Sequence, residues 1–228
     1  TAAAVAAAVR LRRPTAVLWV ALGALPWAVL HHAVTYSYAG TLGPPNANPD
    51  FFKYPGSWFD AQHLTGRWNH ADLGAFAAYA FLMLFGQRGF VLSNPTLRLA
   101  LPAAAWALRR VETVCYGLWA LGVWLVFAAL STNYGGACCT IRWFVPLLAA
   151  GYFELALLLR DFPKYRIDFV VLSVWGAVLA GCFWAYGPFG SFDYLPWFPY
   201  VFWSATAAGL LMWAACRVLA ARGAARPQ

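Results

Sequence analysis

Long apolar runs alternate with short polar segments along the whole chain. Six of these runs approach the roughly 20 predominantly apolar residues that a helix needs to cross a bilayer. The pattern therefore predicts an all-α fold, a polytopic membrane helix bundle in which lipid covers most of the apolar surface. The six predicted spans are residues 15–35, 90–108, 114–130, 143–159, 168–186 and 198–219.

Two further segments lie between the first and second predicted spans. Residues 36–72 are rich in Pro, Gly, Asn and aromatic residues, which indicates a long extracytoplasmic loop built from turns. Residues 73–86 are apolar but only about 14 residues long, and a polar Gln-Arg pair interrupts them. We therefore interpret 73–89 as an interfacial or re-entrant helix.

The composition agrees with a membrane protein. Of the 228 residues, 62% are apolar and 11% are charged, against about 25% charged in soluble domains. We predict a single membrane domain over residues 1–228. The chain begins with Thr1 and has no signal-peptide pattern, so we expect it to be a fragment of a longer protein.

The basic residues are sorted by position, which predicts topology rather than a nucleic-acid partner for the net charge of +8. Six spans with both termini in the cytoplasm leave Lys53, Arg67, Arg88 and Arg142 outside and Arg98 within a span. The other 11 of the 16 basic residues then lie inside. If residues 73–86 were a full span, every later loop would lie on the opposite side of the membrane. The distribution of basic residues argues against that alternative.

The first candidate site is a polar island over residues 131–142, between two predicted spans. Asn133 and Tyr134 offer hydrogen bonds, Gly135 and Gly136 allow close backbone approach, and Arg142 supplies a cation. This combination favours a phosphate or pyrophosphate headgroup. The alternative for Arg142 is an arginine that extends its side chain to the membrane interface without a ligand.

Arg88 is a second candidate for the same ligand. It stands between Gly86 and Gly89 at a helix break near the predicted outer interface. A contact with a headgroup and a simple helix stop both explain this pattern. We predict that Arg88 and Arg142 both contact a phosphate headgroup.

The outer loop combines aromatic rings with polar side chains, as saccharide recognition requires. A metal site would need the two histidines, seven residues apart, to converge with acidic residues from a folded loop, and we assign no metal ligand. A loop packed by aromatic residues with solvated polar tips is the other alternative. The predicted acceptor or sugar-binding residues are Trp58, Asp60, His63, Asn69, His70 and Asp72.

Three further features have no assigned role. Arg98 and Glu154 fall within predicted spans, where ionisable residues are costly and are usually partnered or functional. A partner on an adjacent helix is the simpler explanation for Glu154. Cys138 and Cys139 are neighbours, and we favour a small-residue role over redox or metal chemistry.

Several motifs of the chain resemble the later half of bacterial GT-C glycosyltransferases, in particular the protein O-mannosyltransferase and aminoarabinose transferase group. One is the stretch FGxRGxxxxxP that opens a helix, and another is the stretch GG…RWFVPL. The quoted residues are Tyr54-Pro-Gly-Ser57, Phe59-Asp60, Asn69-His70, Leu84-Phe-Gly-Gln-Arg-Gly-Phe90, Asn94-Pro95, Asn133-Tyr-Gly-Gly136 and Arg142-Trp-Phe-Val-Pro146.

The resemblance implies a multi-span enzyme of the bacterial inner membrane that transfers a sugar from a polyprenyl-phosphate donor on the outer face. It also implies a catalytic acidic residue near the amino end of the full protein, which none of Asp50, Asp60 and Asp72 can be matched to. Arg142 and Arg88 would neutralise the donor phosphate as it leaves. The sequence does not decide the cofactor, and a divalent metal stays open.

Two other classes of function compete with this one. A transporter or flippase for a lipid-linked or anionic solute would need polar residues along a path across the bilayer, and the spans carry chiefly Arg98 and Glu154. A non-catalytic subunit of a membrane assembly would use the aromatic loop as a docking surface.

Overall fold

The computed structural model describes residues 5–6, 10, 14–57, 65–134, 141–186 and 198–224, and their regular structure is helical without a strand. This confirms the predicted all-α class. The α-helices are α1 (Pro14–Ala39), α2 (Leu73–Phe85), α3 (Phe90–Ser93), α4 (Ala100–Trp106), α5 (Val111–Leu130), α6 (Leu147–Asp161), α7 (Arg166–Tyr186) and α8 (Phe198–Ala224). Short 3₁₀ turns lie at Pro45–Ala47, Pro49–Phe52, Pro95–Arg98, Arg142–Phe144 and Pro163–Tyr165.

Five stretches of helix in the described part of the chain are long and apolar enough to cross a membrane. They are Thr15–Ala39, Leu73–Ser93, Val111–Leu130, Pro163–Ala185 and Pro199–Leu219. Large apolar side chains on these helices stay outside the protein core: Trp19 is 70% exposed, Trp27 72% and Trp184 88%. Apolar surface on this scale needs a lipid environment, so the chain is an integral membrane protein.

The structure contains two compact units. The first comprises Thr1–Ala80 and Ala107–Asn133, and the second comprises Phe81–Trp106 and Tyr134–Gln228. In the first unit, the segment before α2 and α2 itself both contact α5. The Gly66 N–H donates to Leu130 O at 2.7 Å, and Trp124 Nε1 donates to Ala80 O at 3.0 Å.

In the second unit, the segment from α3 to α4 runs beside α6 in the same direction. Three contacts in succession establish this: Phe90 with Phe144, Leu97 with Gly151, and Trp106 with Phe162. Helices α7 and α8 run antiparallel, because Asp168 meets Trp213 and Arg217 whereas Trp175 meets Gly209. The second unit has a hydrophobic core where α4, α6, α7 and α8 meet. Its buried residues are Leu99, Ala103, Leu155, Leu158, Leu172, Trp175, Leu179 and Phe202.

The prediction of one continuous helix over residues 90–108 was wrong. Helix α3 ends at Ser93, a 3₁₀ turn covers Pro95–Arg98, and α4 begins at Ala100. Proline has no N–H to donate and disfavours helical torsions in the preceding residue. Asn94 accordingly has φ −125° and ψ 74°, and its Nδ2 donates to Phe90 O at 2.8 Å.

Helix α2 lies within the segment 73–89, and a turn at 86–89 separates it from α3. Together α2, this turn and α3 form the stretch Leu73–Ser93, which is long and apolar enough to cross a membrane. An interfacial or re-entrant helix at 73–89 therefore stays a prediction.

Candidate functional site

A tight glycine turn holds Arg88. Gly86 N donates to Leu82 O at 2.8 Å and Gly89 N donates to Gly86 O at 2.7 Å. A Cβ on Gly86 would lie 2.5 Å from Leu82 O, and one on Gly89 would lie 2.6 Å from Leu84 O. Both positions therefore require glycine for close backbone packing, and the rigid turn presents Arg88 at its tip, half-buried.

A second turn holds Arg142. The 3₁₀ turn Arg142–Phe144 begins after Ile141, which is fully buried, and Phe144 is fully buried as well. These two apolar anchors fix the turn, whereas Arg142 between them is exposed. The Val145 N–H donates to Arg142 O at 3.2 Å and leads into α6.

The two arginine turns meet within the second unit. The rings of Phe90 and Phe144 pack edge to face with centroids 5.6 Å apart. Phe90 follows Arg88 by two residues and Phe144 follows Arg142 by two residues. Two motifs more than 50 residues apart in the sequence are therefore joined by their aromatic anchors.

Two more polar groups belong to this region. Burial raises the pKa of Tyr134 above its usual value, while the nearby Arg88 guanidinium acts in the opposite direction. The Tyr134 hydroxyl therefore keeps its proton at neutral pH. Gln87 Nε2 is buried and has no hydrogen-bond partner among the residues the structure describes. We call Gln87, Arg88, Tyr134 and Arg142 the headgroup site.

The remaining predicted donor-phosphate residues are Asn133, Gly135 and Gly136. Asn133 belongs to the first unit, where its carbonyl accepts hydrogen bonds from the Tyr79 hydroxyl and, at 3.2 Å, from the Ser131 hydroxyl. Gly135 and Gly136 lie outside the described residues, as do Cys138 and Cys139.

His70 of the predicted sugar-binding loop is tied into the first unit. Its Nε2 lies 2.6 Å from Ala128 O, one of the carbonyls that the end of α5 leaves without an intrahelical donor. Its ring packs against Trp68, Phe76 and Tyr79 with centroids 5.0 to 5.5 Å apart. His70 therefore caps α5 from within an aromatic cluster.

Asp72 has a local role as well. Its Oδ1 accepts from Ala75 N at 2.7 Å, which caps the amino end of α2. Asn69 lies half-buried between Trp68 and His70. Trp58, Asp60 and His63 lie outside the described residues, so saccharide binding by this loop stays a prediction.

The described side chains do not form a metal centre. Within residues 5–6, 10, 14–57, 65–134, 141–186 and 198–224, no three His, Cys, Asp or Glu side chains converge.

An ionic cluster that was not predicted from the sequence lies at one end of α7 and α8. The Asp168 carboxylate is 2% exposed and accepts from Trp213 Nε1 at 2.6 Å and from an Arg217 terminal nitrogen at 3.2 Å. The Arg217 guanidinium also lies 5.8 Å from the Tyr165 ring. Trp213 and Arg217 are four residues apart and share a helix face, which was the available signal.

The two ionisable residues of the predicted spans both lie in the second unit. The Arg98 guanidinium carbon is 4.1 Å from the centroid of the Trp175 ring. Glu154 is 5% exposed on α6.

Comparison with protein-family models, with curated proteins and with solved structures finds no match to this chain. The resemblance to GT-C glycosyltransferases therefore stays a prediction that rests on the motifs themselves.

Proposed function

We propose that this protein is a GT-C-like membrane glycosyltransferase, or its carboxy-terminal part, and that its headgroup site binds the phosphate of a polyprenyl-phosphate sugar donor. The supporting observation is the contact between Phe90 and Phe144, which joins the Arg88 turn to the Arg142 turn. In the sequence these turns are the two most specific pieces of the resemblance.

The chemistry of the site suits a phosphate. Arginine binds phosphate oxygens through paired N–H donors and stays charged at any physiological pH. Gln87 Nε2, which has no partner among the described residues, and the Tyr134 hydroxyl add neutral donors. Cations at the leaving phosphate stabilise the negative charge that develops there as the glycosidic bond breaks.

We propose a topology of six spans, with α2 as an additional interfacial or re-entrant helix and with both termini in the cytoplasm of a bacterium. This arrangement is supported by two ring contacts, Phe90 with Phe144 and Trp106 with Phe162, because segment 90–106 then runs in the same direction as α6. In this topology both segments begin at the outer face of the membrane. Arg88 and Arg142, which precede them, therefore lie on that face. Asn69, with Trp58, Asp60 and His63 of the same loop, would bind the acceptor or the sugar, and no catalytic residue is assigned.

Farnesyl phosphate is a short-chain probe for this proposal. We expect the purified chain in nanodiscs to bind farnesyl phosphate, and Arg88→Gln and Arg142→Gln each to weaken that binding by about tenfold, because each removes a charge-assisted contact. Titration calorimetry measures both dissociation constants.

Arg109→Gln is the matched control, since Arg109 is an exposed arginine of the other unit, and it should leave the affinity unchanged. Farnesol tests the phosphate directly and should bind much more weakly. Wild-type affinity in both arginine variants would rule out the headgroup site. Phosphate binding without sugar transfer by the full protein would retain the site and reject the transferase.

A further inference from the structure

The break in the segment 90–106 fixes Arg98 against two helices. A Cβ on Gly176 of α7 would lie 3.4 Å from Pro95 Cδ, and one on Gly151 of α6 would lie 2.6 Å from Leu97 Cδ2. These glycines let the turn Pro95–Arg98 approach both helices closely. The Arg98 side chain therefore extends from a turn that is packed against both helices.

Arg98 lies deep along the helices it contacts. Its guanidinium covers the ring of Trp175 at 4.1 Å, and Trp175 stands near the middle of the 21-residue helix α7. That position is about 14 Å from the amino end of α7 at 1.5 Å per residue. In a helix that crosses a bilayer, this depth is close to the midplane, where a cation is costly and usually functional.

Two buried donors lie on the paired helices α7 and α8, the indole N–H of Trp175 itself and the hydroxyl of Thr206. Trp175 Nε1 and Thr206 Oγ1 are buried, and neither has a hydrogen-bond partner within the part of the chain that the structure describes. Trp175 is 2% exposed and Thr206 is 4% exposed. Thr206 lies three residues before Gly209, which packs directly on the Trp175 ring, so both are on the face of α8 that meets Trp175.

We propose that Arg98, Trp175 and Thr206 form a mid-depth anion site that binds an oxyanion, the phosphate group of a solute or of a lipid. A cation and two buried donors that lack acceptors suit a ligand with several negatively charged oxygens. Interrupted helices that surround a site near the midplane are typical of proteins that carry ions or solutes across membranes. The site is distinct from the headgroup site: Leu97 of the Pro95–Arg98 turn packs against Gly151 within α6, whereas Phe90 packs against Phe144 in the turn before α6.

Thermal melting and calorimetry of the full chain in nanodiscs test this site with two probes, inorganic phosphate and dihexanoyl phosphatidic acid. We expect at least one probe to bind and to raise the melting temperature. Arg98→Gln should weaken that binding at least tenfold, and Thr206→Val and Trp175→Phe each at least threefold. Arg109→Gln, which replaces an exposed arginine of the other unit, should retain it.

The ligand-free protein provides a second readout. Thr206→Val removes a buried hydroxyl that has no hydrogen-bond partner among the described residues, so it should raise the melting temperature of the empty protein while reducing the shift that the probe causes. A lower melting temperature with an unchanged probe affinity would show that the hydroxyl is structural and would overturn the proposal. Failure of both probes to bind, or loss of binding only in Arg88→Gln and Arg142→Gln, would also overturn it. Binding of inorganic phosphate indicates a solute, and binding of the lipid alone indicates a headgroup.

Discussion

Gly209 sets the separation of two antiparallel helices at a single position. A Cβ there would overlap Cδ2 of Trp175, whose indole ring is 2% exposed and also contacts Arg98. A glycine in an apolar helix is visible in the sequence. Its partner 34 residues earlier is not, because the register between α7 and α8 depends on packing along their whole length.

Gly209→Ala should destabilise the protein by about 1–3 kcal/mol, since the added methyl must displace a buried tryptophan or the backbone of α8. Gly181→Ala is the matched control on α7, where an added Cβ meets nothing within 4 Å. The control should be neutral or stabilising by up to about 1 kcal/mol, because alanine favours the helix. Melting of both variants in the same detergent gives the comparison, and equal melting temperatures would contradict the packing described.

At the scale of elements, the sequence predicts most helices well and their interruptions poorly. Helix α5 begins three residues before its predicted start and ends at the predicted Leu130. Asn94 and Pro95 are visible in the sequence, but the apolar residues on both sides favour one continuous helix. A proline can kink a helix or end it, and the packing of Pro95 on Gly176 determines which occurs.

The capping of α5 by His70 also depends on distant residues. His70 and Ala128 are 58 positions apart, so no local pattern predicts their contact. A histidine beside tryptophan and asparagine instead favoured a saccharide surface. A histidine side chain can bind a saccharide or cap a helix. Only its position next to the free carbonyls at a helix end shows that it caps the helix.

His70→Ala should destabilise the protein by about 1–3 kcal/mol, because the Ala128 carbonyl is on a fully buried residue and loses its side-chain donor. His70→Gln, which keeps an N–H donor, should recover part of that loss. His31→Ala replaces an exposed histidine and should change the melting temperature little. Hydrogen exchange at the carboxyl end of α5 measures the local effect, and unchanged protection in His70→Ala would argue against the cap.

At the scale of the molecule, composition alone predicts a polytopic helical membrane protein, and the structure agrees. Lipid rather than protein covers much of the apolar surface, as the exposed Trp19, Trp27 and Trp184 show. The sequence predicted that Arg88 and Arg142 act on one ligand. It could not predict how their turns meet, since that depends on Phe90 and Phe144, which read as ordinary apolar residues.

The central claim is that Arg88 and Arg142 bind one phosphate group together. A double-mutant cycle on farnesyl phosphate affinity, with Arg88→Gln, Arg142→Gln and the double variant, tests it most directly. If both arginines contact the same phosphate, the fold-loss of affinity in the double variant should differ from the product of the two single fold-losses by at least threefold. Arg88→Gln combined with Arg109→Gln should show no such coupling. Losses that multiply independently, or single variants that bind like the wild type, would contradict a shared site.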